Sequence, residues 1–277
     1  MTTQEHGATP KGRARINANS TANVRSAFTE NRPRQGNPAG RHPDVKDLVG
    51  RLVTVPGLVR PGVSSWDMRT RLPLHPLSVE NAYGDPELLH ALAIPGATFA
   101  HKLGVDVIVG AETGGIPIAT AVSLAGNLPF AFVRKPGYVG HEDHEPRVRG
   151  AAVRNRRVLL VDDAVSSGTA VQAFVNELRS EQATVVGVFV VVDMRDVAAS
   201  VTPIATALPI ESIATYLQVL ATATDFGVLD PTVHRLAVDA LVNHWSNDDP
   251  RWSQLDRRTG TGVNAGQLSA RNWSSAA

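Results

Sequence analysis

The sequence predicts an α/β fold with a mainly parallel central sheet and helices on both faces. Three observations carry that expectation. Short β-branched runs alternate with segments of helical period. The runs are continuously apolar, as suits strands covered on both sides. No linker-like stretch between about Asp44 and Trp245 is long enough to separate a second domain from the first. Repetition of strand, helix and strand requires crossovers, which make neighbouring strands parallel, and in such sheets ligands bind beyond the carboxyl ends of the strands.

Taken in order, Val105–Val109, Phe130–Val133, Arg157–Val161 and Val185–Val192 read as strands. Ile116–Ala125 is the helix between the first two. Thr169–Ser180 is the helix between the last two, with Val171, Phe174, Val175 and Leu178 spaced along one face. Residues 1–43 hold seven Lys and Arg against Glu5 and Glu30, and they lack apolar periodicity. They read as a disordered basic leader, and nucleic-acid contact is not expected of them. Residues 251–277 are rich in Ser, Ala and Asn and read as a disordered tail.

Composition removes several classes of function. With 277 residues, 43% of them apolar and 19% charged, the chain can bury a substantial core. It has no cysteine, so disulfides, thiolate metal sites and a catalytic thiol are excluded, and the cytoplasm is the expected compartment. The longest apolar stretch, around Val185–Val192, falls far short of the roughly 20 residues a membrane span needs. The basic N-terminus has no apolar run behind it, so a secretory signal is not expected.

The most informative segment runs from Val158 to Thr169: Val-Leu-Leu-Val-Asp162-Asp163-Ala164-Val165-Ser166-Ser167-Gly168-Thr169, with Ala170 continuing into the helix. A buried strand brings two adjacent carboxylates to its carboxyl end. A turn of small residues then opens a helix whose first amides lack internal partners. Those amides, the positive end of the helix dipole and the hydroxyls of Ser166, Ser167 and Thr169 suit a phosphate monoester. The carboxylates suit the vicinal hydroxyls of a sugar. The plainer alternative is that Asp162 or Ser166 only caps the helix. A Walker loop and a dinucleotide fingerprint are both excluded, since neither glycine pattern occurs in this segment.

This segment closely resembles the diphosphate-sugar signature of type I phosphoribosyltransferases. The resemblance implies that fold with a small hood, 5-phosphoribosyl 1-diphosphate as substrate, the two acids on the ribose hydroxyls and the turn on the 5-phosphate. A second segment, Val109-Gly110-Ala111-Glu112-Thr113-Gly114-Gly115-Ile116-Pro117, also leaves a strand and enters a helix, with Pro near the first turn. It resembles the orotate phosphoribosyltransferase version of the loop that cradles the diphosphate. Similarity extends over roughly Val63 to Leu217, with Ile210–Leu217 as the terminal strand and helix. The expected layout is therefore a domain over 44–250 with an N-terminal hood and a C-terminal helical extension.

A third segment begins at Arg134 and Lys135 and continues as a polar stretch to Gly150, read as a surface loop able to act as a lid. The Arg fork and the Lys point charge suit a departing diphosphate. In orotate enzymes this stretch resembles Arg-Lys, a few residues, then Lys-x-His-Gly, with the later residues reaching a neighbouring subunit's site. Here Tyr138 replaces the second lysine and the histidine is displaced to His141, assigned a catalytic role beside Asp162, Asp163 and Lys135. Arg147 and Arg149 are the other substitutes for that lysine. A metal site at His141, His144 and Glu145 is improbable on a mobile loop.

The resemblance further implies a homodimer, an Arg after the fourth strand that contacts the orotate carboxylate, met here by Arg195 one residue late, and a hood in which Arg69 or Arg71 meets the base. Ser166 stands where many orotate enzymes have Thr. Mg²⁺ is expected to arrive with the sugar diphosphate, since it prefers phosphate oxygens and water to protein cages, so no residue is assigned as a direct metal ligand. His234, His244, Trp245 and Trp252 read as packing and surface.

The expected reaction is Mg²⁺-dependent transfer of 5-phosphoribose to a ring nitrogen, orotate being the first base to test. A purine or unusual heterocycle is the alternative within the class. A regulator that senses the diphosphate sugar and has lost the chemistry is the alternative outside it; its leader would contact RNA or DNA with steep salt dependence.

Overall fold

The computed structural model describes residues 44–59, 64–65, 73–74, 77–135, 146–195 and 208–242. Helix α1 spans Val45–Thr54, and its N-cap Asp44 accepts the Lys46 amide at 3.0 Å. Strands β1 (Ser64–Ser65) and β2 (Pro73–Leu74) pair antiparallel as a separate ribbon. A 3₁₀ helix over Val79–Gly84 leads to α2, Pro86–Lys102. Asp85 caps α2 through the amides of Glu87 and Leu88, and Pro86 fills the first turn, where no amide is needed. The α1 and α2 helices lie outside the elements that the sequence spacing picks out.

The main run follows as β3 (Val107–Ala111), α3 (Gly115–Gly126), β4 (Phe130–Val133), β5 (Val148–Gly150), β6 (Arg157–Val165), α4 (Thr169–Ser180) and β7 (Thr184–Asp193). It closes with β8 (Ile210–Thr215), α5 (Tyr216–Asp225) and α6 (Pro231–Val242). Thr215 and Gln218 form a reciprocal capping box at the start of α5. In α6, His234 Nδ1 lies 2.8 Å from Thr224 Oγ1 on α5, so this residue joins two helices as the packing reading expects.

The sheet has the order β5-β4-β3-β6-β7-β8, with all neighbours parallel except β4 and β5. Side-chain alternation along each strand separates two cores. Ile108, Leu159, Val161, Phe189 and Val191 pack with residues of α1, α2, α3 and α5. Val107, Val109, Val158, Leu160, Val188 and Val190 pack with Val171, Phe174, Val175 and Leu178 of α4. Helices therefore cover both faces, as the continuous apolar runs require.

Three expectations are corrected. The first strand starts at Val107, because the Val105 amide still bonds the Ala100 carbonyl behind α2. The third strand does not end at Val161: β6 runs on through the acidic pair to Val165, held by pairing of Ala164 with Val192 and of Val165 with Asp193. The polar stretch before Gly150 is not loop throughout, since Val148–Gly150 pairs antiparallel with β4 and Arg134 N bonds Arg147 O at 2.9 Å. An edge strand is held by backbone bonds on one side and needs no apolar alternation, which is why the spacing does not reveal it. The basic leader, Trp66–Arg71, Tyr138, His141, His144, Glu145, His244, Trp245, Trp252 and the tail lie outside the described residues.

Candidate functional site

Five parallel strands, β4, β3, β6, β7 and β8, bring their carboxyl ends to one edge of the sheet. After β3 the chain turns at Glu112, Thr113 and Gly114 and enters α3 at Gly115; the Glu112–Thr113 peptide is cis. This turn lies directly against the acidic pair. A Cβ on Gly114 would stand 2.6 Å from the Asp163 carboxyl carbon. One on Gly115 would overlap the Val161 carbonyl oxygen and stand 2.9 Å from the Asp162 Cα. Only glycine permits this approach, so the two turns that the sequence singles out separately form one site.

Asp162 is 9% exposed, and its Oδ1 accepts the Asp163 amide at 2.9 Å. Burial above all, then the Asp163 charge and a side-chain hydrogen bond with it, hold the Asp162 carboxyl well above the usual carboxylate range. The Asp163 amide and the Lys135 charge pull in the opposite direction. Two acids at one strand end thus raise the proton affinity of the more buried one, a cost of holding both carboxylates together at this end of the sheet.

Beyond Val165, the Ser166–Gly168 turn leads into α4, with Gly168 left-handed at φ 77°. The N-cap of this helix is Gly168, which has no side chain to cap it, so the plainer reading of Asp162 or Ser166 as the capping residue is excluded. Ser167 Oγ donates to Thr169 Oγ1 at 3.1 Å and accepts the Thr169 amide at 3.4 Å. These hydroxyls and the first amides of α4 cluster where the helix dipole favours an anion.

At the end of β4, Arg134 and Lys135 are held by Glu112. The Lys135 amide donates to Glu112 Oε2 at 2.9 Å, Arg134 Nη1 lies 3.6 Å from Oε1, and the Arg134 guanidinium sits 5.9 Å above the centre of the Phe132 ring. The Glu112 carboxylate thus pairs with the Arg134 guanidinium and holds the Lys135 backbone, while its own amide bonds Val133 O at 3.0 Å. At the end of β7, Arg195 folds back onto Asp193, donating from Nε at 2.9 and 3.1 Å to its two oxygens. Asp193 raises the proton affinity of Arg195 through that bond, so the guanidinium stays charged. Asp162, Asp163, Ala164, Val165, Ser166, Ser167, Gly168, Thr169 and Ala170 are thereby gathered with Glu112, Thr113, Gly114, Gly115, Arg134 and Lys135, while Arg195 borders the neighbouring strand end.

The sequence reading misses Tyr83. The 3₁₀ helix carries it to β6, and burial together with the charges of Asp163, Asp162 and Glu80 pushes its hydroxyl far above the usual phenol range. No spacing rule links it to a strand end about 80 residues later.

Comparison with known proteins agrees with this arrangement. Residues 98–207 match the phosphoribosyl transferase domain. An orotate phosphoribosyltransferase from Methanocorpusculum labreanum is 37% identical over 118 residues, covering 42% of this chain and 66% of that protein. An adenine phosphoribosyltransferase from Ureaplasma parvum is 30% identical over 115 residues, covering 37% of this chain and 66% of that protein. The crystal structure of Mycobacterium tuberculosis orotate phosphoribosyltransferase in complex with inorganic phosphate shares the fold, with a TM-score of 0.52 and 21% identity over 64% of this chain and 98% of that one. The match spans just under two thirds of the length of the two curated relatives. The chain belongs to the type I phosphoribosyltransferase family.

Proposed function

We propose that the protein is an enzyme that transfers 5-phosphoribose from 5-phosphoribosyl 1-diphosphate to a ring nitrogen of a nucleobase, orotate first, releasing diphosphate. One observation carries this reading: an acidic pair near the end of β6 lies between the N-terminus of α4 and a glycine turn that presses against the pair. A diol acceptor, a seat for the 5-phosphate and a seat for the diphosphate are thus contiguous, which is the functional outline of that sugar.

Breaking the anomeric C–O bond sends its electron pair to the diphosphate and leaves positive charge on the ring, as in glycoside hydrolysis. The ring nitrogen then bonds to that carbon and loses its proton. In this reading Asp162 and Asp163 accept from the ribose hydroxyls and supply negative potential to the ring. Ser166, Ser167, Thr169 and the backbone from Ala164 to Ala170 hold the 5-phosphate. The amides of Glu112 to Gly115, with Arg134 and Lys135, take the diphosphate charge as it develops. Arg195 leaves Asp193 for the carboxylate of the base, and His141, outside the described residues, assists the leaving group.

The donor set fits Mg²⁺ in a limited way: two carboxylates from one strand fall short of a protein cage but suit an ion that arrives with phosphate oxygens. When bound, that ion neutralises diphosphate and ribose oxygens. No helix among the described residues is long and apolar enough to cross a membrane. A cytoplasmic homodimer is the expected state, to be checked by sedimentation of the full chain.

The similarity to an adenine enzyme favours one second reading, a purine acceptor at the same sugar site. Incubating the protein with Mg²⁺, the diphosphate sugar and either orotate or adenine, and measuring diphosphate release, decides between them. No release with any base overturns the proposal.

A further inference from the structure

We propose that Arg147 is a positioning residue for the diphosphate seat: its guanidinium holds the Lys135 backbone in place and does not itself meet the substrate. This rests on the functional reading above, which gives Arg134 and Lys135 the diphosphate charge. Lys135 is held through both of its backbone groups. Its amide donates to Glu112 Oε2 at 2.9 Å, and its carbonyl accepts from Arg147 Nη1 at 3.4 Å. Arg147 is fixed in turn by its own carbonyl, which accepts the Arg134 amide at 2.9 Å, and by Glu177 of α4, whose Oε1 lies 3.5 Å from the Arg147 Nε.

The shape of the guanidinium gives arginine this role. Its nitrogens share one rigid plane, so a fork anchored on Glu177 through Nε presents Nη1 at a fixed place, where the Lys135 carbonyl meets it. A lysine offers a single point of charge and cannot hold two partners at that spacing. Lys135 itself has a long, flexible stem, and ordering that stem costs entropy when its charge is used. Fixing the backbone at the root of the stem narrows the range that the ammonium explores. Service as the cation that replaces the missing lysine would require the Arg147 charge to face the diphosphate. The structure turns it instead to Glu177 and to a carbonyl.

The Arg147 side chain is 37% exposed, so truncating it leaves the core intact. Calorimetry of the full chain with Mg²⁺ and inorganic diphosphate is the test. Arg147→Ala is expected to weaken diphosphate binding about fivefold and to leave ribose 5-phosphate binding unchanged. Arg147→Lys is expected to lose as much, since charge without the fork does not hold the backbone. Glu177→Ala keeps the Arg147 charge but removes its anchor, and is expected to weaken diphosphate binding about threefold. In a Lys135→Ala background, Arg147→Ala is expected to add no further loss. Unchanged diphosphate binding in Arg147→Ala, rescue by Lys, unchanged or tighter binding in Glu177→Ala, or a loss that persists without Lys135 overturns the proposal. If the wild-type protein binds no diphosphate, the functional reading falls. Amide hydrogen exchange then decides whether Arg147 holds this backbone: faster exchange at Lys135 in Arg147→Ala supports it, and unchanged exchange overturns it.

Discussion

The carboxylate of Glu112 receives the backbone amide of Lys135 at 2.9 Å, tying the turn after β3 to the end of β4 across 23 residues of sequence. An acid so close to the proposed diphosphate seat is repulsive unless protein partners engage it, and here they do. Glu112→Gln keeps an acceptor for that amide, whereas Glu112→Ala removes it. The Ala variant is expected to lose about 1 kcal/mol of stability and to raise KM for the diphosphate sugar severalfold, with the Gln variant much nearer wild type. Thermal unfolding and initial rates check this; equal losses in both variants would show that the negative charge paired with Arg134, rather than the acceptor for the Lys135 amide, is what Glu112 provides.

Burial of Asp162 weakens the fold as pH rises. Its folded-state proton affinity exceeds that of the unfolded chain, where an Asp titrates near about 3.9. Between those two values the native state binds the extra proton, so stability falls with increasing pH until the folded group ionises, and the penalty is complete above it. Asp162→Asn carries no such penalty. It is expected to melt higher than wild type at pH 7, with the advantage shrinking as pH falls toward 4, while turnover drops at least about tenfold. An advantage that grows on acidification would contradict this assignment.

Gly115→Ala forces a methyl group into the Val161 carbonyl, and neither partner is a flexible side-chain end. Relief requires the turn after β3 to withdraw from the acidic pair. A stability loss of about 1–3 kcal/mol is expected from overpacking, with loss of most sugar binding, measured by chemical denaturation and calorimetry.

Gly96 sets two effects against each other. In the interior of α2, Ala would improve helix propensity by about 1 kcal/mol. Its Cβ would also stand 2.9 Å from Phe189 ring carbons and from a Val122 methyl carbon, inside a packed core. Overpacking costs about 1–3 kcal/mol, so a net loss is expected for Gly96→Ala in denaturant unfolding. A more stable variant would mean that Phe189 can move aside.

Residue order alone settles those features whose causes are local. The β-branched runs and the helix face of Val171, Phe174, Val175 and Leu178 are legible because periodicity is a short-range property, and α4 has the boundaries that its spacing predicts. The chemistry of Val158 to Thr169 is legible because strand, acids, turn and helix follow without interruption. Strand β5 is not, because its partner β4 supplies the bonds that make it a strand. Folding in three dimensions was needed to show that Gly115 lies on Val161, that Glu112 holds Lys135, that Arg195 turns onto Asp193 and that the Tyr83 hydroxyl is buried where the acids act on it. Parallel strands become neighbours through crossovers of many residues, so contacts between their ends follow from the closing of the sheet and leave no mark on the spacing of either segment.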